Sequence, residues 1–302
     1  MNNLDAIYNF ILNELKKLIP DENFYFKPIE PKLSDLQIIA LNISAEYLSI
    51  DSEYQLFRYL SNSKLNGMIE RSVYNRRKRK LFPHLEKIRR LMVVQFNENE
   101  NVFIVDSMPL EICKNARANR SKICKESEFS FPSRGYCASQ SSYYYGYKLH
   151  AICSISGVFQ SFDISTASIH DIHFLQDIKH QMNNCTLIGD RGYLSAQVQT
   201  DLFTYANIKL DTPMRINQKN YIKQKYIFRK SRKRIETLFS QLCDQFKIRN
   251  NYAKSFNGFK TRILSKIAAL TFIQFVNVFV FNRKMNNIKP VVHLAQINFY
   301  FV

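Results

Sequence analysis

Phe103-Ile104-Val105-Asp106-Ser107-Met108-Pro109 is the stretch on which the fold turns. Three apolar residues lead into an acid and a proline follows, which predicts a short buried strand over residues 102–106. An aspartate at such a strand end is held rigidly at the rim of a sheet, where a carboxylate can grip a cation. A turn-forming Asp is also common there, so the reading depends on partners elsewhere. One partner is Asp190, which ends a second apolar run, Thr186-Leu187-Ile188, in Gly189-Asp190-Arg191-Gly192-Tyr193.

Around these two runs the pattern alternates between strand and helix. Residues 111–142, rich in Ser, Arg, Lys and Cys, read as an irregular insertion. Residues 144–154 alternate in polarity as a strand, with 157–164 as an antiparallel partner across a turn. Ser168 caps an expected helix from His170 to about Met182, a further helix covers 195–206, and 208–211 form a last strand. A final helix carries Ile235, Leu238, Phe239, Leu242 and Phe246 as an apolar stripe, with Arg232 and Glu236 four residues apart beside it. This order predicts a mixed α/β domain with helices covering the sheet.

Ahead of it the pattern is helical. Leu4, Ile7, Ile11, Leu15 and Leu18 fall at helical spacing, and prolines at 20, 28 and 31 mark a linker. Ser34-Asp35-Leu36-Gln37 and Ser52-Glu53-Tyr54-Gln55 each read as a capping box opening a helix. A third helix, residues 70–81, carries Arg76, Arg77, Lys78, Arg79 and Lys80; two compact helices before a basic one is the pattern of a helix-turn-helix module. Its rival is a solvated basic face on a helical bundle. Pro83 is expected to separate this helix from another over residues 84–96.

The chain carries a formal net charge of +18, and its distribution is informative. Residues 71–90 hold nine Lys/Arg against one acid, and residues 215–234 hold nine with none. The remainder is nearly neutral, so two focused patches point to a polyanionic partner. With 46% hydrophobic residues the chain builds a real core and is not a disordered polymer. The N-terminal segment has acids within an amphipathic pattern, unlike a signal peptide. The most apolar segment, residues 263–281, is broken by Lys266, Gln274 and Asn277 and reads as a buried helix, with no membrane expected. Six cysteines without a C-x-x-C pair read as free thiols of a reducing compartment; Cys113, Cys124 and Cys137 are too irregularly spaced to favour zinc.

Two strand-end aspartates, a helical glutamate and flanking basic patches fit one chemistry. Three convergent carboxylates hold hard divalent cations, and two ions about 4 Å apart promote phosphodiester cleavage while basic residues hold the backbone. Residues 105–109 (VDSMP), 145–150 (YGYKLH), 167–171 (ASIHD), 189–193 (GDRGY) and 232–236 (RKRIE) together resemble bacterial insertion-sequence transposases of the Asp-Asp-Glu type, closest to the nine-eight-two family. The resemblance covers nearly the whole chain. It implies a ribonuclease-H-like catalytic domain, Mg2+-dependent cleavage at element ends (Mn2+ as a plausible substitute, two ions in all) and strand transfer by a 3′-hydroxyl. It makes Asp106, Asp190 and Glu236 the catalytic and metal-holding acids.

Many related transposases surround the glutamate with Tyr-x2-Arg-x3-Glu-x6-Lys. Here Arg232 fits, but Arg229 stands at the tyrosine position and Cys243 at the lysine position, so DNA contacts at those two places do not carry over. Candidate DNA contacts are Arg76, Arg77, Lys78, Arg79, Lys148, Arg229, Arg232 and Lys233. His150 and Lys148 share one strand face, and Asp171 is explained by helix capping. The expected organisation is a helical DNA-binding region over 1–97, a ribonuclease-H-like domain over 98–285 and an atypical tail over 286–302. Expected partners are double-stranded DNA, as element ends and target, and a second copy of the chain, in the bacterial cytoplasm at the nucleoid. Two other readings stay open: a related nuclease that cuts without joining, and a decayed copy acting as a DNA-binding repressor.

Overall fold

In the computed structural model the described residues are 4–96, 100–214, 216–217 and 221–288. The expected atypical tail therefore lies outside the described residues from position 289 on, as do four positions of the second basic patch (215 and 218–220). The chain divides into two compact units. One takes the residues up to Gln95 together with Leu242–Asn251 and the chain from Asn257 onward; the other takes Phe96–Gln241 and Tyr252–Phe256.

The first unit opens with α1 (Leu4–Leu18), α2 (Asp35–Tyr47), α3 (Glu53–Leu60), α4 (Arg71–Lys80) and α5 (Phe82–Val94). Ser34 caps α2 with a full capping box: its hydroxyl accepts the Gln37 N–H at 3.2 Å and the Gln37 side chain accepts the Ser34 N–H at 2.7 Å. Ser52 makes no such bond, and the neighbouring Glu53 is bonded to Lys78 and Asn75. Pro83 does not separate two helices. It sits in the first turn of α5, where its missing N–H has no intrahelical partner to lose.

The second unit is built on a six-stranded sheet: β1 (Val102–Cys113), β2 (Ser133–Cys137), β3 (Ser142–Ser154), β4 (Phe159–Thr166), β5 (Cys185–Ile188) and β6 (Ile208–Asp211). β1 pairs antiparallel with β3 and parallel with β5, and β5 pairs parallel with β6. β2 and β4 lie end to end along the other edge of β3, the first on residues 142–146 and the second on 147–153. This is the expected mixed sheet flanked by helices, with one strand more, since β2 falls inside the expected insertion. Between β4 and β5 runs a 3-10 turn (Asp171–His173) and a short α6 (Phe174–Ile178), well short of Met182. The cap of the 3-10 turn is His170, whose Nδ1 accepts the Ile172 N–H, and not Ser168. Then α7 (Ala196–Ala206), capped by Ser195, joins β5 to β6, and α8 (Tyr226–Asp244) follows β6. Val105, Ile152, Leu175, Leu187, Tyr193 and Leu202 form the core on one side of the sheet. Phe239 of α8 stacks on Phe159 of β4, with ring centroids 6.2 Å apart.

α9 (Phe256–Phe279) returns the chain to the first unit. It is long and apolar enough to span a membrane, yet 83% of its most apolar window is buried within the protein. Two of its buried polar side chains find partners on α2. Ser265 accepts from Asn42 of α2 at 2.7 Å and donates to the Thr261 carbonyl, while Lys266 pairs with Glu46 of α2 at 2.7 Å.

Candidate active site

β1 does not stop at Asp106 but runs on to Cys113. What stops is its pairing with β5, at Ile104↔Ile188. Asp106 and Asp190 each stand two residues beyond that matched pair, so the parallel register carries both acids past the carboxyl end of β5, side by side. From there β1 is an edge strand on that side, which is why Pro109 is tolerated inside it. The carboxyl edge of parallel strands, where neighbouring chains diverge, is where open α/β sheets place their sites.

Each aspartate is oriented by a backbone amide. Asp106 accepts the Ser107 N–H and Asp190 Oδ1 accepts the Gly192 N–H, both at 2.8 Å. A Cβ at position 192 would lie 3.0 Å from Asp190 Oδ1, so glycine leaves that approach uncrowded. Burial pushes the Asp106 carboxyl up to about 7; Asp190 and Asp171 add to the rise, and the Ser107 amide and Arg232 guanidinium oppose it. Arg232 projects from α8, half-buried, and its Nε has no hydrogen-bond partner within the protein. Glu236 lies one helical turn further on, about 6 Å along the axis, and is exposed. Among the described residues no group of three or more carboxylate, imidazole or thiol side chains stands close enough to hold a metal ion together. The sheet thus brings Asp106 and Asp190 together, and α8 sets the Arg232 charge within reach of Asp106. Glu236 is exposed and not among the charges that act on Asp106. Hard oxygen donors from one or two carboxylates, with water and substrate phosphate completing the shell, are what Mg2+ takes, so the aspartate pair fits such a cation.

Asp171 belongs to this neighbourhood although helix capping accounted for it in the sequence. Its carboxylate bonds Lys148 Nζ at 2.9 Å and adds to the negative field at Asp106. Lys148 also donates to the Ile169 carbonyl at 2.8 Å, so two of its three ammonium donors are engaged within the protein. His150 is a core histidine: its ring stacks on Phe174 at 5.2 Å, its Nε2 meets Ser165 Oγ at 2.7 Å, and burial pushes its pKa well down against the pull of Asp171. Tyr193 is buried beside the acids, and burial together with their charge holds its hydroxyl protonated.

The other basic candidates separate by helix phase. On α4, Lys78 is buried with Tyr74 and paired with Glu53 at 2.7 Å, and Arg77 is bonded to Asp35 at 2.7 Å. Both are engaged in ion pairs within the protein, Lys78 buried and Arg77 partly exposed. Arg76 and Arg79 are exposed. On α8, Arg229 and Lys233 are exposed, with Arg229 5.8 Å from the Tyr226 ring centre. Cys113, Cys124 and Cys137 are free thiols.

The raised Asp106 carboxyl has a measurable consequence. Its folded form holds a proton more tightly than the unfolded chain, so its contribution to stability is full below the usual carboxylate range and is lost as pH rises through about 7. With chelator present, Asp106→Asn is expected to be more stable than the wild type at about pH 8, by about 2 kcal/mol allowing for partial exposure. The two should converge near pH 4. Denaturant melts at both pH values check this; a constant difference across the range refutes it.

A family model described as "Transposase DDE domain" matches residues 97–272, more than half of the chain. The chain is a member of the DDE transposase family. A search of curated proteins finds no match. Among solved structures, one described as "Mos1 transposase paired-end complex with left transposon end" is similar at 9% identity, covering 82% of this chain and 80% of that one, with a TM-score of 0.21. An overlap that loose says nothing further about this chain.

Proposed function

We propose that this DDE transposase acts on the terminal inverted repeats of an insertion sequence of the nine-eight-two type, cutting at the element ends and joining them to target DNA. The observation that supports it most directly is the parallel register that sets Asp106 and Asp190 side by side with Arg232 at hand. Asp106 and Asp190 hold the metal and Glu236 closes the site from α8; Mg2+ is the natural ion and Mn2+ a substitute. Two bound ions would activate the attacking oxygen and stabilise the leaving one. Asp106 must give up its proton for this, which the second positive charge of Arg232 favours. Arg232, Lys233 and Arg229 hold the phosphates of the strand entering the site. The protein works as a homodimer on paired ends, in the cytoplasm at the nucleoid.

Incubating the purified chain with duplexes carrying its own element ends and Mg2+ tests the reading. Nicked and then joined products are expected, and precut ends should join without a cleavage step. Cleavage without joining would make it a nuclease, and binding without cleavage a repressor.

End binding is assigned to the exposed face of α4. Arg76→Ala/Arg79→Ala should weaken end-duplex binding and lower the slope of log K against log salt by about 2. Arg77 and Lys78 are excluded from this test because their loss would damage the fold. A slope unchanged in the Arg76/Arg79 variant moves the end-binding surface elsewhere.

A further inference from the structure

Past Asp106 the β1–β3 pair, joined by β2, continues as a ribbon. On β2, Arg134 and Tyr136 point the same way, and their partners across β3 are Tyr145 and Tyr143. Gly135 faces the other way, packed so closely on Ala167 that a Cβ would lie 2.5 Å from its carbonyl oxygen. The back of the ribbon is closed there, and on the front Tyr145 is buried while the end carrying Tyr136 and Tyr143 is open. There Tyr136 and Tyr143 are 52% and 67% exposed, their ring centres 5.0 Å apart at an interplanar angle of 57°. Packing gives no reason for two large rings to stand together in water. Arg134 donates to Asn119 at 2.9 Å, which ties the 3-10 turn carrying the exposed Arg117 and Arg120 to this edge of the ribbon.

We infer that this ribbon face is a stacking platform for unpaired bases of the DNA that the active site works on. Paired aromatic faces flanked by guanidinium groups are how proteins hold single-stranded nucleic acid without reading its sequence. The charge decides the class of partner. A second copy of a chain with net charge +18 would be repelled by an arginine-rimmed face, whereas a phosphate backbone is drawn to it. The reach is also set. Tyr143 lies eight residues along β3 from Ala151, the partner of Asp106, about 27 Å away at about 3.4 Å per residue. The platform therefore serves a segment several nucleotides from the cleaved bond and not the bond itself. The inference rests on the transposase reading for its substrate but not for its test.

The test is binding of the full chain, in chelator so that no strand is cut, to oligothymidylate of about 20 nucleotides and to a duplex of equal length. Tyr136→Ala/Tyr143→Ala is expected to weaken oligothymidylate binding by at least about tenfold and duplex binding by less than about twofold. Tyr136→Phe/Tyr143→Phe keeps the rings and should restore binding. Arg117→Ala/Arg120→Ala should lower the salt slope for oligothymidylate by about 1.4. Equal losses on single strand and duplex, an unchanged affinity for oligothymidylate, or a phenylalanine variant as weak as the alanine one would each overturn the platform. So would a shift in sedimentation of the alanine variant with DNA binding unaltered, which would mark a protein interface. Failure of the end-joining assay with oligothymidylate binding as expected would remove the transposase reading and leave the platform standing.

Discussion

Asp190→Asn and Asp106→Asn are each expected to reduce Mg2+-dependent cleavage of an element-end duplex by at least about a thousandfold, with duplex binding in chelator within twofold of wild type. The change is isosteric and keeps an acceptor for the Ser107 or Gly192 amide, so the fold survives and the missing charge alone is read out. The two sites share one field, which makes their effects non-additive: the double variant should be no slower than the worse single. Glu236→Gln discriminates further. Loss as deep as that of the aspartates would require Glu236 to approach the pair when DNA binds. A variant that cuts at full rate would remove it from the triad, and Asp171, already within the field of Asp106, would be the next acid to replace.

Lys266→Met is expected to cost about 3–5 kcal/mol and to melt the first unit, because it leaves Glu46 buried and uncompensated between α2 and α9. The double variant Glu46→Leu/Lys266→Met should recover most of that loss, since two apolar side chains of similar volume need no counter-charge. Denaturant titrations followed by circular dichroism measure both. If the single and double variants are equally unstable, the pair acts through packing and not through charge.

How far the sequence carried depends on the kind of signal. β3 alternates and β5 is an apolar run, so both were legible, as were the two aspartates that the register brings together. β2 was not: Ser133-Arg134-Gly135-Tyr136-Cys137 has no apolar run, and it becomes a strand only because β3 offers a free edge and Gly135 can pack against Ala167. The basic run on α4 looked uniform because charge alone carries no helix phase. Tyr74, Lys78 and Leu81 show the phase, at spacings of four and three, and they turn Lys78 inward. Asp171 was hidden because an acid at a helix start already has a local explanation. The partner of α9 was hidden for the opposite reason. A helix apolar on every side points nowhere, and only Asn42 and Glu46 on α2, four residues apart, specify Ser265 and Lys266 as their mates.

That last pairing sets a clock. Glu46 and Lys266 are 220 residues apart, and the whole sheet-bearing unit is synthesised between them. At about 5–20 residues per second a ribosome takes about 10–40 s to deliver α9 after α2 has emerged. Throughout that interval the amino-terminal helices wait with a buried-type carboxylate and amide exposed, while the sheet can close first. A nascent chain released by a premature stop before α9 therefore never completes the first unit, even where its sheet has closed.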